Sequence, residues 1–292
     1  MIVVEDRDNI LKHYFHLRAW RFWLFHIIAV WGIYKLGFSW SGLALAVASY
    51  YGRMFFVTAA YHRYFSHRAY KTSRVFQFVL AFCGATCAQK GALWWAAHHR
   101  RHHKYSDTEY DLHSPLQHGW AWAHVGWILS PAHKKTRYDL IQDLAKYKEL
   151  VWINEHHWVP LVLYGVVLYA TLGMHGLIWG FFVSTVALWH GTFTINSLTH
   201  VLGKQRFQSD DGSLNSHLLA VITMGEGFHN NHHYYQSTAN QGFYWWELDL
   251  SYYLLWLLSK LHVVWDLRLP PARVLALGRA GAQVPVASPK QA

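Results

Sequence analysis

Cysteine is nearly absent from this 292-residue sequence, in which Cys83 and Cys87 are the only two. They lie four residues apart in an apolar helical stretch, where small core residues are a better interpretation than a disulfide or a metal pair. Two thiols are too few to hold an iron–sulfur cluster. A glycine-rich dinucleotide loop is missing as well. The sequence therefore excludes both of these groups.

Charge is nearly absent from five long segments, residues 19–36, 40–61, 75–97, 158–172 and 177–198. Their lengths lie near the ~20 helical residues that cross a bilayer. Hydrophobic residues make up 53% of the chain and aromatic residues 17%, more than globular proteins use. The composition therefore predicts an all-α integral membrane protein that crosses the bilayer several times.

The formal net charge is +10, and the basic residues flank the apolar segments without forming one stripe. This distribution fits anionic lipid headgroups and argues against a nucleic-acid partner. The N-terminus lacks the apolar core and cleavage site of a signal peptide, so residues 1–18 are expected to form a polar arm before the first membrane helix. Residues 19–277 are expected to form one domain, and the Ala-, Gly- and Pro-rich residues 278–292 a disordered tail.

The apolar segments are predicted to form two helical hairpins, turned at residues 37–40 and 173–176. Residues 75–97 are apolar enough to cross, but a crossing would place the histidine motifs on either side of them on opposite membrane faces. We therefore predict four transmembrane helices, with residues 75–97 re-entrant or interfacial, under a helical cap. By the positive-inside rule the cap lies in the cytosol, because basic residues mark its border: Arg68, Lys71 and Arg74.

Histidine is abundant, with 23 residues, and many of them cluster in three motifs at the ends of apolar segments. Box one is His62-Arg-Tyr-Phe-Ser-His67, box two spans residues 98–103 and box three spans residues 225–233. His200 and Asn196 lie at the end of the last apolar segment. The predicted hairpins bring all of these residues to the same face of the membrane.

The spacing inside the boxes predicts metal ligands. Residues three and four apart share a helix face, so boxes two and three can each point three rings at one volume, namely His99, His102 and His103, and His229, His232 and His233. His62 and His67 differ by about 140° on an α-helix and are expected to straddle a site or two sites. Four ligands saturate a structural zinc ion, whereas nine histidines, with His200 included, suffice for two ions of four or five protein ligands each.

Several nearby residues are not predicted to be ligands. His98 is left out because only His99 reproduces the spacing of box three. Glu226 and His229 form a Glu-x-x-His unit, but carboxylate-bridged di-iron bundles need two such units, so Glu226 is expected to support a ligand. The isolated histidines are expected to be ordinary surface or interfacial residues: His13, His26, His124, His175, His190 and His262.

At these motifs the chain resembles the membrane fatty acyl desaturases, specifically a short bacterial form of the acyl-CoA Δ9 desaturases. The matching segments, in family order, are box one, His99-Arg-Arg-His-His103, Asn196-Ser-Leu-Thr-His200 and box three. The resemblance covers roughly residues 20–270 and implies a di-iron centre with nine histidine ligands and an asparagine that reaches one ion through water. The implied set is His62, His67, His99, His102, His103, Asn196, His200, His229, His232 and His233.

The resemblance also implies an activity. It predicts an oxidoreductase of the acyl-CoA desaturase type, which uses two iron ions and dioxygen to introduce a cis double bond, at Δ9, into a long-chain saturated fatty acyl-CoA during unsaturated fatty acid biosynthesis. The acyl chain would lie in a bent internal tunnel. Because no b5-type cytochrome is fused to the chain, electrons would come from a separate ferredoxin or b5-type cytochrome with its reductase. The boxes would face the cytoplasm at a bacterial inner membrane.

One departure from the family pattern concerns the headgroup. Animal members carry an arginine–aspartate pair just before the first histidine of box two, and here Ala97 and His98 stand in its place. Lys134, Lys135 and Arg137 could contact the phosphates of CoA, or could simply be exposed basic residues near a membrane.

Two other interpretations remain open at this point. A fatty-acid hydroxylase or decarboxylase could use the same histidine scaffold. A non-catalytic metal-binding protein or transporter is less favoured, because transporters place such ligands near the bilayer midplane and these boxes fall at helix ends. The sequence leaves open which histidines would share an ion.

Overall fold

The structure is a computed structural model that describes Tyr14 and residues 19–280. The described chain is mostly helical, as predicted. Its longer helices are Trp20–Leu36, Trp40–Phe55, Phe56–Ser66, Arg74–Ala85, Ala92–Tyr105, Lys148–Glu155, Trp158–His175, Gly176–Val183, Ser184–Ser197, Leu250–Lys260 and Ala272–Ala280. Its shorter helices and turns are Pro115–His118, Trp122–Gly126, Trp127–Leu129, Pro131–His133, Tyr138–Leu140, Gln142–Ala145, Leu198–His200, His217–Ile222 and His229–Tyr234. Lys71–Thr72 pairs antiparallel with Val264–Trp265.

The predicted arm and tail fall almost entirely outside the described residues. Tyr14 is the one described residue of the arm, and its hydroxyl donates to the Ala121 carbonyl at 2.8 Å. The last helix ends at Ala280, so residues 278–280, which were predicted to begin the tail, are its final residues.

The first hairpin has the predicted turn. Trp20–Leu36 ends at Gly37, whose φ of 74° favours glycine. The next helix begins at Ser39, whose hydroxyl accepts from the Gly42 N–H at 3.1 Å as an N-cap. From Trp40 the chain stays helical through Ser66, and these 27 residues are long and apolar enough to cross a membrane. Box one therefore begins inside the same rod as the apolar segment.

The second hairpin turns at Gly173, where φ of 60° and ψ of −151° interrupt the helix. The two arms pack so closely that small residues are needed at the contact, with Gly165 against Phe181 and Gly180 against Leu168. The whole stretch, Trp158–His200, is the second described segment that meets the length and hydropathy of a membrane span. Both predicted hairpins are therefore present, and the four crossings remain a prediction.

The segment before box two does not form one long helix. Arg74–Ala85 has 12 residues, about 18 Å of rise, against a hydrocarbon core of about 30 Å. Residues 86–91 then turn, with Ala88 and Lys90 at φ of 57° and 63°, before Ala92–Tyr105 begins. This geometry agrees with the prediction that residues 75–97 do not cross, and it lets boxes one and two meet.

Apolar side chains cover the outside of the hairpins, while polar groups lie inside. Val30 and Tyr34 are 71% and 79% exposed, whereas Arg53 is only 4% exposed. A large apolar surface of this kind marks contact with a membrane or another apolar partner. The main core packs Phe56–Ser66 against Arg74–Ala85 and Ala92–Tyr105, which positions the site described next.

Candidate metal centre

Box one lies at the end of a π-helix, Phe56–Ser66. Hydrogen bonds from residue i to i+5 widen each turn, and the His67 N–H donates to the His62 carbonyl at 3.3 Å. The rings of His62 and His67 have centroids 4.9 Å apart and belong to one group. The prediction that they straddle a site or two sites left the number of sites open, and the structure places both rings in one group. The wider π-turn brings residues five apart towards one face.

Five rings from all three boxes form what we call the five-histidine cluster: His62, His67, His99, His103 and His232. Their Nε2 atoms follow one another at 2.9 Å (His62–His232), 2.8 Å (His232–His103), 3.0 Å (His103–His99) and 2.8 Å (His99–His67). Two nitrogens bound at right angles to one ion, each at about 2.1 Å, would lie about 3 Å apart. The spacing is therefore that of ligands around a shared ion.

Four more rings form the four-histidine cluster: His102, His200, His229 and His233. Their possible ligand atoms lie within 4.8 Å of one another. The Nε2 atoms of His200, His229 and His233 are buried and have no hydrogen-bond partner among the described residues. Leaving a buried polar atom unpaired costs about 1–3 kcal/mol, a cost that a bound cation would remove. These rings fit a metal ion.

Each helical triple is divided between the two clusters. His99 and His103 join the five-histidine cluster, whereas His102 joins the other one. Box three repeats this division, with His232 in the first cluster and its two neighbours in the second. The prediction that each triple faces one volume was wrong, because adjacent helical residues point about 100° apart. Each short helix instead serves two sites, and the nine predicted histidines divide into groups of five and four.

Asn196, the tenth predicted residue, belongs to neither cluster. It lines two adjoining cavities together with Thr192 and Trp95, and histidines of both clusters also line one of them. Val57 and Ile195 give that cavity an apolar wall. An apolar space therefore runs past both groups of rings.

Carboxylates support three rings of the four-histidine cluster. The pairs, each through Nδ1, are His102 with Asp111 at 2.9 Å, His200 with Asp107 at 2.9 Å and His233 with Asp211 at 2.7 Å. A carboxylate only accepts when ionised, so each Nδ1 is the donor and the tautomer is fixed. Nε2 is then left free to bind a metal, an arrangement that recurs at metal sites in proteins.

Glu226 supports the five-histidine cluster. Its Oε2 lies 2.5 Å from His62 Nδ1, and its Oε1 lies 3.0 Å from the Arg63 guanidinium. Arg63 also pairs with Asp249 at 2.9 Å. The Gln241 amide lies 3.2 Å from His62 Nδ1. The structure agrees with the prediction that Glu226 supports a ligand, because Glu226 contacts the ring nitrogen that faces away from the cluster.

The electrostatics favour the neutral form of several rings in the five-histidine cluster and the charged form of the carboxylates beside the other cluster. Burial, followed by the neighbouring rings, lowers the pKa of His99, His103 and His232 well below the usual value. Burial would raise the pKa of Asp107, but its hydrogen bond and charge interaction with His200 outweigh this and lower the pKa to about 2. Burial is likewise outweighed at Asp111, by His102, and the pKa of that carboxyl lies far below its usual range. Neutral imidazole is the form that binds metal.

The sequence analysis missed the three aspartates, Gln241 and His113. The His113 ring stacks on His102 with centroids 4.3 Å apart, and with Asp111 these two residues form a third group of possible ligands. Because the Asp111 carboxylate already accepts from His102, we regard this group as an extension of the four-histidine cluster. One signal was available, since Asp107 and Asp111 follow box two by four and eight residues.

Histidines that were not predicted as ligands lie outside both clusters. His98 Nδ1 is 2.8 Å from the Trp94 carbonyl. His26, His190 and His124 form a chain, with ring nitrogens 3.0 Å apart at both contacts. His13 lies outside the described residues. His124 is buried, which corrects the prediction that it lies at the surface or interface, and its two ring nitrogens contact Ser197 and His190.

Comparison with known proteins gives one family. Residues 38–266 match the family model described as fatty acid desaturase. The hex-5-enoyl-[acyl-carrier protein] acetylenase of Moorena producens (strain JHB) is 38% identical over 234 residues, 73% of this chain and 73% of that protein. The sn-1 stearoyl-lipid 9-desaturase of Synechocystis sp. is 34% identical over 256 residues, covering 86% and 79%. An acyl-CoA 5-desaturase of Anemone leveillei is 33% identical over 257 residues, covering 85% and 80%.

Proposed function

Because this chain belongs to the fatty acid desaturase family, we propose that it uses two iron ions and dioxygen to introduce a cis double bond into a long-chain acyl group. Family membership makes it an oxidoreductase that acts on fatty acyl chains. The single observation that carries the finer proposal is the pair of histidine clusters, of five and four rings, beside an apolar cavity.

We assign the ligands of the two ions by cluster. Five imidazoles would hold one ion and four the other, and Asn196 would reach one of the two ions through water because it lines the cavity that both clusters adjoin. Imidazole nitrogen is a suitable ligand for iron. When bound, the two ions supply electron transfer to dioxygen and the oxidising power that desaturation needs. The proposed ligand set is His62, His67, His99, His102, His103, Asn196, His200, His229, His232 and His233.

The overall reaction balances with a separate electron donor. One dioxygen takes two hydrogen atoms from adjacent methylenes, two electrons and two protons, and leaves as two waters. A ferredoxin or a b5-type cytochrome with its reductase would supply the electrons. The chain's net charge of +10 would favour an acidic donor at the face that carries the boxes.

The protein's own contribution is to position the alkyl chain and exclude water. Burying sixteen methylenes at about 0.8 kcal/mol each gives a gross gain on the order of 10 kcal/mol. That gain barely changes if the chain slides by one carbon, so the shape of the cavity must set the bond position. Gln89 Nε2 donates to Thr192 Oγ1 at 2.7 Å across the cavity wall, which gives this wall a rigid polar feature. We propose position 9, as in the names of several relatives.

We propose acyl-CoA as the carrier of the chain. Ala97 and His98 are buried, so they are unavailable to a headgroup. Lys134 and Lys135 are exposed, have no ion-pair partner in the described part of the chain and follow the cavity-lining residue Ile128 closely in sequence. These two lysines would contact the phosphates of the carrier.

We also propose that the two hairpins cross a bacterial inner membrane four times, with both clusters on the cytoplasmic side. The apolar exterior of the hairpins and the two span-length stretches support this arrangement. Fusing a reporter to each loop tests it. A cytoplasmic signal is expected after residue 66 and a periplasmic signal at residues 37–39, and the reverse pattern would contradict the assignment.

The fatty-acid profile of cells that express the protein tests the function. An internal monounsaturated acid with a cis bond at carbon 9 is expected, and stearoyl-CoA should outperform the stearoyl lipid and stearoyl carrier protein in membranes. A hydroxy acid or a terminal alkene would favour the alternative oxidases. Absence of product together with about one zinc ion and no iron per chain would favour a non-catalytic metal protein.

A further inference from the structure

The two clusters differ in the charge that surrounds them. Three of the four rings in the four-histidine cluster donate to a carboxylate, at Asp107, Asp111 and Asp211. In the five-histidine cluster only His62 has such a partner, Glu226. Within residues 19–280, no other carboxylate lies within ion-pair distance of that cluster's remaining rings, His67, His99, His103 and His232.

The single carboxylate of the five-histidine cluster is also neutralised. Arg63 is fully buried, lies 3.0 Å from Glu226 and belongs to the same polar group as Asp249. By contrast, no arginine or lysine of the described residues lies within ion-pair distance of the three aspartates, whose contacts of this kind are all with histidine rings. The four-histidine cluster therefore sits beside three carboxylates that no arginine or lysine pairs with directly.

The three aspartates are held in place by the backbone. The Asp107 N–H donates to Asp111 at 2.9 Å, and the Gly212 N–H donates to Asp107 at 2.8 Å. Asp211 accepts from the Ser213 N–H at 3.0 Å. Each carboxylate thus accepts from a backbone N–H as well as from its histidine, and the two loops that carry them are joined to each other through Asp107 and Gly212.

This difference has a chemical consequence for a bound metal. A carboxylate that accepts from Nδ1–H makes the opposite ring nitrogen a stronger electron donor and fixes its direction. Fixed negative charge beside an ion stabilises its more positive state. A fifth neutral ring at the other cluster adds a ligand but no charge. The two sites therefore cannot be electronically equivalent.

On the basis of the proposed function, we propose that Asp107, Asp111 and Asp211 are positioning residues that make the two iron ions unequal. When two irons are bound, the one in the four-histidine cluster would depend on these aspartates for tight binding and would be the easier of the two to oxidise from Fe²⁺ to Fe³⁺. The iron in the five-histidine cluster would have the higher potential. In the test the oxidant is ferricyanide, which accepts one electron per iron.

The experiment uses the purified full chain loaded anaerobically with ⁵⁷Fe²⁺ and followed by Mössbauer spectroscopy. Two ferrous signals of equal area are expected. One equivalent of ferricyanide should remove one signal and leave the other. The variants His229→Ala and His67→Ala, each at one cluster only, identify which signal belongs to which site. Simultaneous loss of both signals in the wild type would overturn the proposal.

Isosteric substitutions then test the carboxylates. Asp111→Asn and Asp211→Asn keep the side-chain shape and remove the charge, so we expect iron affinity at the four-histidine site to fall by about 10- to 100-fold and the order of oxidation to be lost. Glu226→Gln is the matched control, because it removes the arginine-compensated carboxylate and should leave the four-histidine signal unchanged. If one variant fails to accumulate, the other carries the test.

The results separate this inference from the proposed function. Equal effects of Asp211→Asn and Glu226→Gln on both signals would contradict the inference. The proposal of a two-iron desaturase would not be affected by that result. Fewer than two irons in the wild type, or no desaturated product, would contradict the proposed function itself. Asp211→Asn with an unchanged four-histidine signal would also overturn the positioning role.

Discussion

The five-histidine cluster is held mainly by helices, whereas the four-histidine cluster depends on loops. His62 lies near the end of the long helical stretch Trp40–Ser66, and its partner Glu226 is paired with Arg63, the next residue of that stretch. The four-histidine cluster instead takes its support from loop residues such as Asp107 and Asp211. The comparison teaches that two sites built from the same two helices, Ala92–Tyr105 and His229–Tyr234, can differ in charge because their outer partners differ.

The largest effect is expected at a ring of the five-histidine cluster that lies between two others. His232 contacts both His62 and His103, so His232→Ala should abolish desaturation while the protein still accumulates in membranes. The measurement is the fatty-acid profile at matched protein level. His98→Ala is the control, because that ring lies outside both clusters and should keep most activity. Full activity in His232→Ala would contradict the ligand assignment.

The next largest effect, on stability, is expected at Arg63, which holds Glu226 behind the five-histidine cluster. Arg63→Met leaves Glu226 and Asp249 buried without their cation, so we expect a loss of about 3–5 kcal/mol in stability. Arg74→Met is the matched control, because the pair of Arg74 with Glu149 is exposed and worth about 0–1 kcal/mol. Thermal unfolding in detergent measures both. Equal shifts in the two variants would show that the buried ion pairs of Arg63 add no more stability than an exposed pair.

A smaller effect, on the preferred length of the acyl chain, is expected at the cavity that both clusters line. Val57 is buried and lines this cavity, so Val57→Phe should shorten the preferred acyl chain by about two carbons while iron content stays the same. Val47→Phe, on the exposed side of the same rod, should leave the product profile unchanged. Gas chromatography of the products from C16 and C18 substrates compares them. An unchanged ratio in Val57→Phe would remove this cavity from the substrate path.

The smallest effect, on KM, is expected at the exposed lysines that follow the turn Pro131–His133. Replacing Lys134 and Lys135 together with alanine should raise KM for stearoyl-CoA by about two- to fivefold at low salt, because exposed charge pairs are worth about 0–1 kcal/mol each. The turnover rate should be unchanged. Lys260→Ala, on the Leu250–Lys260 helix, is the control. A KM that does not respond to salt in the wild type would contradict phosphate contact by these lysines.

The sequence predicted what local composition and periodicity control. Apolar segments and their glycine turns gave the two hairpins, and the nine histidines came from their spacing at helix ends. Glu226 was predicted to support a ligand because carboxylate-bridged di-iron bundles need two Glu-x-x-His units and only the one at Glu226 and His229 was found. Each of these inferences depends on residues that are close together in the chain.

The remaining features depend on contacts between distant segments. The π-helix that aligns His62 with His67 forms in a segment that is buried on all sides, and no motif in Phe56–Ser66 predicts it. The division of each histidine triple depends on how the two short helices lie between the clusters. Asp107 meets Gly212 across 105 residues, so the role of Asp107 is visible only after folding.

The central claim is that two separate irons are held by five and four histidines. An experimental structure of the iron-loaded protein, with anomalous difference maps at the iron edge, tests it most directly. We expect two peaks, one among His62, His67, His99, His103 and His232, and the other among His102, His200, His229 and His233. A single peak, or a peak outside these rings, would contradict the account.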